Sequence, residues 1–243
     1  MEIFIPKYQD YHSINISSQE VPRVSWWHKV KCWQYRLKLE RSHEYGKKPI
    51  DNIDVGYLLV WKNPIQLGVD LLNPGGEIYI PAGTYTQTDT TITGVSNLVL
   101  RGSGYATEIK MAKTAGTTQK LIQIDGKDNV EICNIFFNGD GATINAAGYG
   151  SEHDHAIAFI NGCTYGRVHH CRIIDMCGDG ISVSGDGSNF IFANNEIKIT
   201  NQATSPTVGR NCIAVIQGAR IIIENNILES FGVNPEDFGK YKM

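Results

Sequence analysis

The strongest constraint on the fold is that two types of short strand alternate along the sequence from about Gly75 onward. The first type is an apolar pair at i and i+2 followed by a glycine turn, and it begins at Ile122, Ile157, Ile181 and Ile213. These starts are 35, 24 and 32 residues apart, so a constant repeat of 24 residues with loop insertions accounts for all of them. Such a repeat indicates a solenoid in which each turn packs on the next.

The second strand type carries asparagine after its apolar residues. The Asn-Asn pair at 194–195, in FIFANNEI, recurs at 225–226, in IIIENNIL, 31 residues later. At one corner of successive coils, roughly 4.8 Å apart, such side chains can bond the amide and backbone of the next turn. Asn134 and Cys171 fall in this register to within one residue. The two columns together predict an all-β chain folded as a single-stranded parallel β-helix.

The first quarter of the chain follows no clear period. Its aromatic and basic stretch, residues 24–46, is compatible with an amphipathic helix. Because aromatic stripes are usually buried, we favour a cap or packing element over a partner-docking arm. Residues 1–60 are therefore predicted to be an N-terminal extension that precedes the solenoid.

A short helix is predicted between this extension and the strands. Asn63 is a suitable N-cap, and Pro64 is a suitable first helical residue because its missing N–H costs nothing there. Three apolar residues share one helical face: Ile65, Val69 and Leu72. We expect residues 62–243 to form the β-helix, with this helix capping its N-terminal end.

Composition argues against several classes of protein. A net charge of -3 gives no support for a nucleic-acid-binding surface. No apolar stretch approaches the roughly 18 residues that span a bilayer, and the N-terminus lacks the pattern of a signal peptide. The 6 cysteines form no CxxC pair and no spacing typical of zinc, so the sequence predicts free thiols and no metal site.

Four segments resemble coils of the pectate lyase-like right-handed parallel β-helix superfamily: GGEIYIPAGTYTQTDTTI, NLVLRGSGYATEIKM, NVEICNIFFNGDG and CGDGISVSG. That superfamily includes polygalacturonases and phage tailspike depolymerases. The resemblance covers roughly residues 62–230. It implies a right-handed coil, a polysaccharide substrate and an extracellular or virion-associated location, with a homo-oligomer, a trimer if the protein is tailspike-like. Relatives continue for several turns beyond the coil at Ile227, so the C-terminal end is expected to be shortened or covered by a partner chain.

Stacking of the first strand type brings candidate site residues into neighbouring columns. The column two residues before the stacked isoleucines contains Lys120, His155, Asp179 and Asn211. The adjacent column includes Asp154 and Arg210. Small outward-facing residues further along predict a shallow trough that an extended sugar chain could occupy: Ala156, Ala158, Gly180, Ser182 and Ala214.

Two long insertions, residues 138–154 and 200–210, enter this column on either side of the short coil that carries Asp175 and Asp179. Two loops that flank a short coil predict a cleft with the segment GDGI as its floor. Tyr149, in the first insertion, is a candidate for contact with a sugar ring. The cleft is the best candidate for a functional site.

Glycoside hydrolysis at this cleft requires two carboxyl groups, one to protonate the leaving oxygen and one to activate water or attack. Asp154 and Asp179 are predicted to converge there from adjacent coils, with Asp175 near the mouth. Crowded carboxylates raise one pKa, which suits a general acid. The GDG segment is similar to the GDD segment of polygalacturonases, with Gly180 in place of the second acid.

β-Elimination is the alternative chemistry. It needs a base near the acidic carbon and a cation that stabilises the developing charge. His155 or Arg210 is a candidate base or electrostatic stabiliser, and the three aspartates offer oxygen ligands for calcium. No cofactor is expected apart from calcium in this case.

We therefore expect a polysaccharide lyase or a glycoside hydrolase. Its predicted catalytic residues are Asp154, His155, Asp175, Asp179 and Arg210, and its predicted substrate-binding residues are Lys120, Tyr149 and Asn211. The superfamily also contains catalytically inert members. A non-catalytic glycan-binding or structural β-helix, such as an adhesin or tail-fibre segment, and a truncated inactive relative are the alternatives.

Overall fold

A computed structural model describes residues 52–54, 64–72, 75–200 and 211–231, and the architecture below is that of these ranges. Their strands, numbered β1 to β18 along the chain, form three sheets in which all pairings are parallel. Sheet A consists of β1 (Asn52–Asp54), β2 (Gly76–Ile80), β5 (Leu98–Gly102), β8 (Glu131–Cys133), β11 (Arg167–His169), β14 (Ser188–Ala193) and β17 (Ala219–Glu224). Sheet B consists of β3 (Gly83–Thr88), β6 (Thr107–Ala112), β9 (Phe136–Asn138), β12 (Arg172–Ile174), β15 (Glu196–Thr200) and β18 (Ile227–Phe231). Sheet C consists of β4 (Ile92–Thr93), β7 (Ile122–Asp125), β10 (Ile157–Ile160), β13 (Ile181–Val183) and β16 (Ile213–Val215).

The chain visits the three sheets in a fixed order. It passes from sheet A to sheet B to sheet C and then returns to sheet A one coil further on, so β2, β3 and β4 make the first complete coil. Each strand thus pairs with the corresponding strand of the coils before and after it. This arrangement is a parallel β-helix, and it confirms the predicted fold class at that level.

The register of sheet C confirms the column of isoleucines that the sequence predicts. Ile157 pairs with Ile122 on one side and with Ile181 on the other, and Ile181 pairs with Ile213. The first three of these side chains are fully buried between the sheets. Loop insertions at the corners therefore leave the strand register unchanged.

Aromatic side chains fill the interior in the later coils. The ring centroids of Phe159 and Phe190 are 5.1 Å apart, and those of Phe190 and Phe192 are 5.9 Å apart. All three rings are buried. Sheets A and C therefore contact each other directly through these side chains, which contribute much of the apolar area that is buried in this part of the core.

Helix α1 (Pro64–Leu71) lies against the first coil, as predicted. Its apolar face is buried in the common core through Ile65, Val69 and Leu72, and it packs on β2 and β4. The predicted N-cap Asn63 and the stretch 24–46 lie outside the described residues. Because β1 pairs with β2, sheet A includes residues upstream of position 62, where the sequence places the start of the β-helix.

The predicted asparagine ladder is present at the corner between sheets A and B. The Asn195 side chain donates to the Val168 carbonyl at 3.0 Å and to the Asn226 side-chain oxygen at 3.0 Å. The backbone N–H of Cys171 donates to the side-chain oxygen of Asn195 at 3.0 Å. Asn226 in turn donates to the Phe192 carbonyl at 2.8 Å. Cys171 and the two asparagines thus occupy equivalent positions on three coils, as the sequence predicts.

The residue before each ladder position has a backbone conformation in the left-handed region, and it turns the chain there. Asn134, His170, Asn194 and Asn225 have φ values of 57°, 53°, 56° and 53°. Asparagine tolerates this conformation better than most other residues, because its short polar side chain can bond the local backbone. The Asn-Asn pairs therefore combine a turn residue with a ladder residue.

Asn195→Ala is expected to lower the free energy of unfolding by about 1–3 kcal/mol, measured by urea unfolding. The substitution leaves the buried Val168 carbonyl and Cys171 N–H without their partner. Asn194→Gly is the matched control, since Asn194 is exposed and glycine adopts its positive φ without strain. An equal loss in the two variants would contradict the role of the ladder.

Cysteines in the described ranges are buried free thiols: Cys133, Cys163, Cys171, Cys177 and Cys212. The Cys163 sulfur lies 3.1 and 3.0 Å from the carbonyl oxygens of Ile124 and Ile160, and its one proton can be donated to either. The sixth cysteine, Cys32, lies outside these ranges. Within the part of the chain that the structure describes, no helix is long and apolar enough to cross a bilayer.

Candidate functional site

The first long insertion is anchored to the next coil at its base. It joins β9 to β10 at the corner between sheets B and C and begins with helix α2 (Gly141–Ala146). The Gly141 N–H donates to the Asp175 carbonyl at 2.8 Å, and the Ala142 N–H donates to the Asp175 carboxylate at 3.3 Å. A Cβ at Gly139 would approach within 2.3 Å of the same carbonyl, so only glycine fits there. Asp175 thus holds the insertion in place on its coil.

Three predicted site residues form a hydrogen-bonded column across adjacent coils. The Asp179 backbone N–H donates to Nδ1 of His155 at 2.9 Å. The Asn211 backbone N–H and side-chain amide donate to Oδ1 of Asp179 at 3.0 and 3.2 Å. The parallel register of β10, β13 and β16 places these residues two positions before the stacked isoleucines. The predicted juxtaposition of His155, Asp179 and Asn211 is therefore confirmed.

Lys120 occupies the same column one coil earlier, because β7 pairs in register with β10. Its backbone N–H donates to the Thr91 hydroxyl at 3.4 Å. Its positive charge is close enough to act on the titration of His155. The predicted column of four residues is thus complete.

His155 is held as a neutral imidazole. Its Nδ1 accepts the Asp179 N–H, so the ring proton is on Nε2. Burial lowers the pKa of His155 to about 4, with smaller contributions in the same direction from Lys120 and His153. The Asp179 Oδ2 atom lies 3.5 Å from Nδ1. This is a contact with an unprotonated nitrogen and not an ion pair.

Burial shifts the titration of the Asp179 carboxyl group towards its protonated form. Burial raises its pKa, while the hydrogen bonds from Asn211 and the positive charge of His153 oppose that rise. The side chain is 5% exposed. A carboxyl that keeps its proton above the usual pH range is the property that a general acid requires.

Asp154 has a different environment from the one that the sequence predicts. Its carboxylate binds the Lys113 ammonium at 2.7 Å, and both side chains are 0% exposed. Its oxygens also accept the backbone N–H groups of Gln119 and Ser151, each at 2.8 Å. Since these partners occupy both oxygens away from solvent, we assign Asp154 a structural role.

The predicted trough of small residues is wrong as an open surface. Ala156 and Ala158 are fully buried, and Ser182 is 4% exposed. Small residues at these positions allow neighbouring backbone to pack directly against them. A Cβ at Gly180, for example, would lie 2.5 Å from the Cys212 carbonyl oxygen. The small residues therefore serve coil packing.

Of two further predicted site residues, the structure describes one. Tyr149 is partly buried and packs against the core, and its backbone N–H donates to the Ile144 carbonyl at 3.0 Å. Arg210 and the rest of the second insertion, residues 201–210, lie outside the described residues. The predicted cleft is thus described on one side only.

Two residues that the sequence analysis did not select lie beside the column. The side chain of His153 is 60% exposed, and its ring centroid is 6.1 Å from that of His155. The Glu152 carboxylate lies 3.4 Å from Nε2 of His153. The Glu152 carbonyl is also so close to Gly178 that a Cβ there would approach within 2.7 Å. In the sequence, only the high density of titratable residues in the segment SEHDH indicated that these two residues belong to a site.

The pKa of His155 predicts a pH dependence of stability. The folded-state pKa of about 4 lies below the ordinary value of 6.5, so between these values the unfolded chain binds the proton preferentially. Stability contributed by His155 is therefore expected to be complete above pH 6.5 and to be lost as the pH falls towards 4, by on the order of 3 kcal/mol.

Urea unfolding over this pH window measures the effect. In His155→Gln the amide oxygen can still accept the Asp179 N–H but cannot titrate. The loss of stability on acidification should be smaller in this variant. Parallel losses in wild type and variant would contradict the assignment.

Comparisons with known proteins place the chain near no described family. No protein-family model and no curated protein matches it. Among solved structures it is similar to a Parabacteroides merdae protein named "putative glycosyl hydrolase", with 13% identity and a TM-score of 0.47, over 74% of this chain and 99% of that one. It is also similar to ORF18 of Geobacillus virus E2, with 16% identity and a TM-score of 0.35, over 87% of this chain and 52% of that one. With such low TM-scores, function has to be argued from the site itself.

Proposed function

We propose that the protein hydrolyses an extended, acidic polysaccharide at the corner between sheets B and C. The observation that carries this proposal is the Asp179 carboxyl group, whose pKa is raised by burial and whose orientation is fixed by Asn211. Lys120 adds positive charge nearby, which favours an acidic sugar.

In the proposed reaction Asp179 is the general acid. Its Oδ1 accepts two hydrogen bonds from Asn211, which leaves the Oδ2 side of the carboxyl to carry the proton. That proton passes to the glycosidic oxygen as the bond to the anomeric carbon breaks. A water molecule then attacks the anomeric carbon and loses its proton to a second carboxylate. Glu152, in the adjacent insertion, is the proposed second carboxylate.

Two features favour hydrolysis over β-elimination. The Nδ1 atom of His155 already accepts a hydrogen bond and Nε2 carries the proton, so this ring has no lone pair available to act as a base. Calcium would need several oxygen ligands in one place. Among the described residues, three His, Cys, Asp or Glu groups converge closely at one position, which is on sheet A and not at this corner.

The remaining expectations follow from the proposed substrate and fold. A right-handed coil is proposed because crossover connections between parallel strands are almost always right-handed. An extended polysaccharide is a substrate met outside the cell or at a virion surface, so either location fits. Assembly into a homo-oligomer, a trimer in the tailspike case, stays a prediction.

A screen of acidic polysaccharides tests the function. Reducing ends and the ultraviolet absorbance of unsaturated products would be followed together. Hydrolysis predicts new reducing ends without new absorbance. An increase in both would indicate β-elimination, and neither signal with any polysaccharide in the panel would contradict an enzymatic function.

Glycan binding without cleavage is the second candidate. It is favoured by exposed aromatic side chains near the corner between sheets A and B, where Tyr79 is 36% and Tyr105 is 50% exposed. The Arg172 guanidinium lies 6.0 Å from the centroid of Tyr105 and 5.5 Å from that of Phe136. Such a surface can stack on sugar rings. Retention on an immobilised polysaccharide without new reducing ends would support this alternative.

A further inference from the structure

Three side chains with different metal-ligating atoms meet on the outer face of sheet A. Glu131 and Cys133 lie on β8, and His169 lies opposite Cys133 on the adjacent strand β11. Because alternate residues of a strand face the same side, all three project from one face. They lie on sheet A and not at the corner between sheets B and C, which carries Asp179.

The distances between the donor atoms are close to those of a metal site. Nε2 of His169 lies 3.2 Å from Oε1 of Glu131, and Sγ of Cys133 lies 3.9 Å from the same oxygen. All three donors lie within 4.8 Å of one another. Tetrahedral zinc, with bonds of about 2.0–2.3 Å, separates its ligand atoms by roughly 3.3–3.6 Å. Side-chain adjustments on the order of 1 Å would therefore complete the geometry.

The histidine also has an outer hydrogen-bond partner, as metal-binding histidines almost always do. Nδ1 of His169 lies 2.9 Å from Nδ1 of His170, and the two rings meet edge to face. When His169 donates its Nδ1 proton to His170, its Nε2 lone pair points towards Glu131 and Cys133. On the other side, Arg167 lies 3.7 Å from Oε2 of Glu131, so Oε1 is the oxygen that faces the other two donors.

We propose that Glu131, Cys133 and His169 bind a divalent transition-metal ion of the zinc type. The combination of thiolate, imidazole and carboxylate suits zinc or cobalt, whereas calcium and magnesium prefer oxygen ligands alone. Binding displaces the thiol proton to solvent, and a water molecule or a fourth ligand completes the coordination. His170 accepts the Nδ1 proton of His169 and so orients its ring.

Sequence spacing could not reveal this site. Glu131 and His169 are 38 residues apart, far outside the spacings of zinc motifs. They meet because one full coil, including the first long insertion, lies between β8 and β11, while the parallel register brings the two strands side by side. The prediction of no metal site, which rested on spacing, is therefore replaced by this proposal.

Titration of the full chain with cobalt(II) tests the site, because a cobalt–thiolate bond gives a near-ultraviolet charge-transfer absorption. One equivalent should bind with this absorption, and zinc should displace it. Cys133→Ser should abolish the absorption. His169→Gln should weaken binding at least tenfold, and His170→Asn should weaken it by about 10- to 100-fold.

Cys163→Ser is the matched control, because its serine hydroxyl can donate to either of the carbonyls that the thiol contacts, and it should bind like the wild type. The His169 side chain is 22% exposed, so its variant keeps the test valid if Cys133→Ser fails to fold, as judged by circular dichroism. Wild type without the absorption would overturn the proposal. So would an unchanged absorption in folded Cys133→Ser, which would arise from another cysteine, or an unchanged affinity for cobalt in His169→Gln.

Discussion

Asp179→Asn is expected to lower kcat by about 10²- to 10⁴-fold on any polysaccharide that the wild type cleaves, with little change in KM. The amide oxygen can still accept both hydrogen bonds from Asn211, so the local geometry should be preserved. The amide cannot give a proton to the leaving oxygen. Steady-state kinetics on the substrate found by the screen measures the loss.

The same variant should not be less stable at neutral pH. Burial raises the pKa of Asp179, so the folded state holds its proton more tightly than the unfolded chain does. The stability that this gives is present at acid pH and is lost as the pH rises through the folded-state pKa. The asparagine side chain carries no charge at any pH, so urea unfolding at neutral pH should show equal or higher stability.

A control substitution at an exposed aspartate tests whether the loss of activity is specific to Asp179 or follows from removing any negative charge. Asp186→Asn removes one negative charge from an exposed turn and is expected to leave kcat unchanged. Activity of wild type should also fall as the pH rises and Asp179 loses its proton. If Asp179→Asn keeps a kcat within tenfold of wild type, Asp179 is not the general acid.

Asp154→Asn is expected to lower the free energy of unfolding by about 3–5 kcal/mol. The variant leaves the Lys113 ammonium fully buried without its counter-charge, which is the main reason for the loss. Urea unfolding at neutral pH measures it. Because the carboxylate also accepts two backbone N–H groups, the amide that replaces it cannot reproduce the whole network.

A double-mutant cycle tests this explanation directly. Adding Lys113→Met to Asp154→Asn removes the unpaired charge, so the double variant should be more stable than Asp154→Asn alone. The exposed pair of Lys198 and Glu229 is the control, and Lys198→Met should cost less than about 1 kcal/mol. A loss of similar size at the two pairs would argue against a structural role for the buried one.

The coil itself could be predicted from sequence because its rules are local and periodic. Period-two alternation identifies the strands, and the recurrence of isoleucine and Asn-Asn columns fixes which strands stack. The structure confirms this at Ile157, which pairs with Ile122 and Ile181, and at Asn195, which bonds Asn226. Helix α1 was equally predictable, because a proline start and one apolar face define it.

The roles of individual side chains could not be predicted with the same success. The segment SEHDH belongs to an insertion without a period, so the packing of the loop decides which of its residues are buried. Asp154 faces Lys113, which is 41 residues away and lies in another turn, while His153 is largely exposed. Burial, rather than residue type, then sets the properties of His155 and Asp179. Burial at irregular positions cannot be predicted from periodicity, because it depends on how the loop packs.

The corner between sheets B and C has a consequence for how such a protein can evolve. Strand starts in sheet C are 35, 24 and 32 residues apart, yet their partners stay aligned, so extra segments at this corner are accommodated without disturbing the interior. Mutation and recombination can therefore exchange these segments while selection for folding acts elsewhere. Under the proposed function, replacement of these loops alone could change the glycan preference while the coil is inherited unchanged.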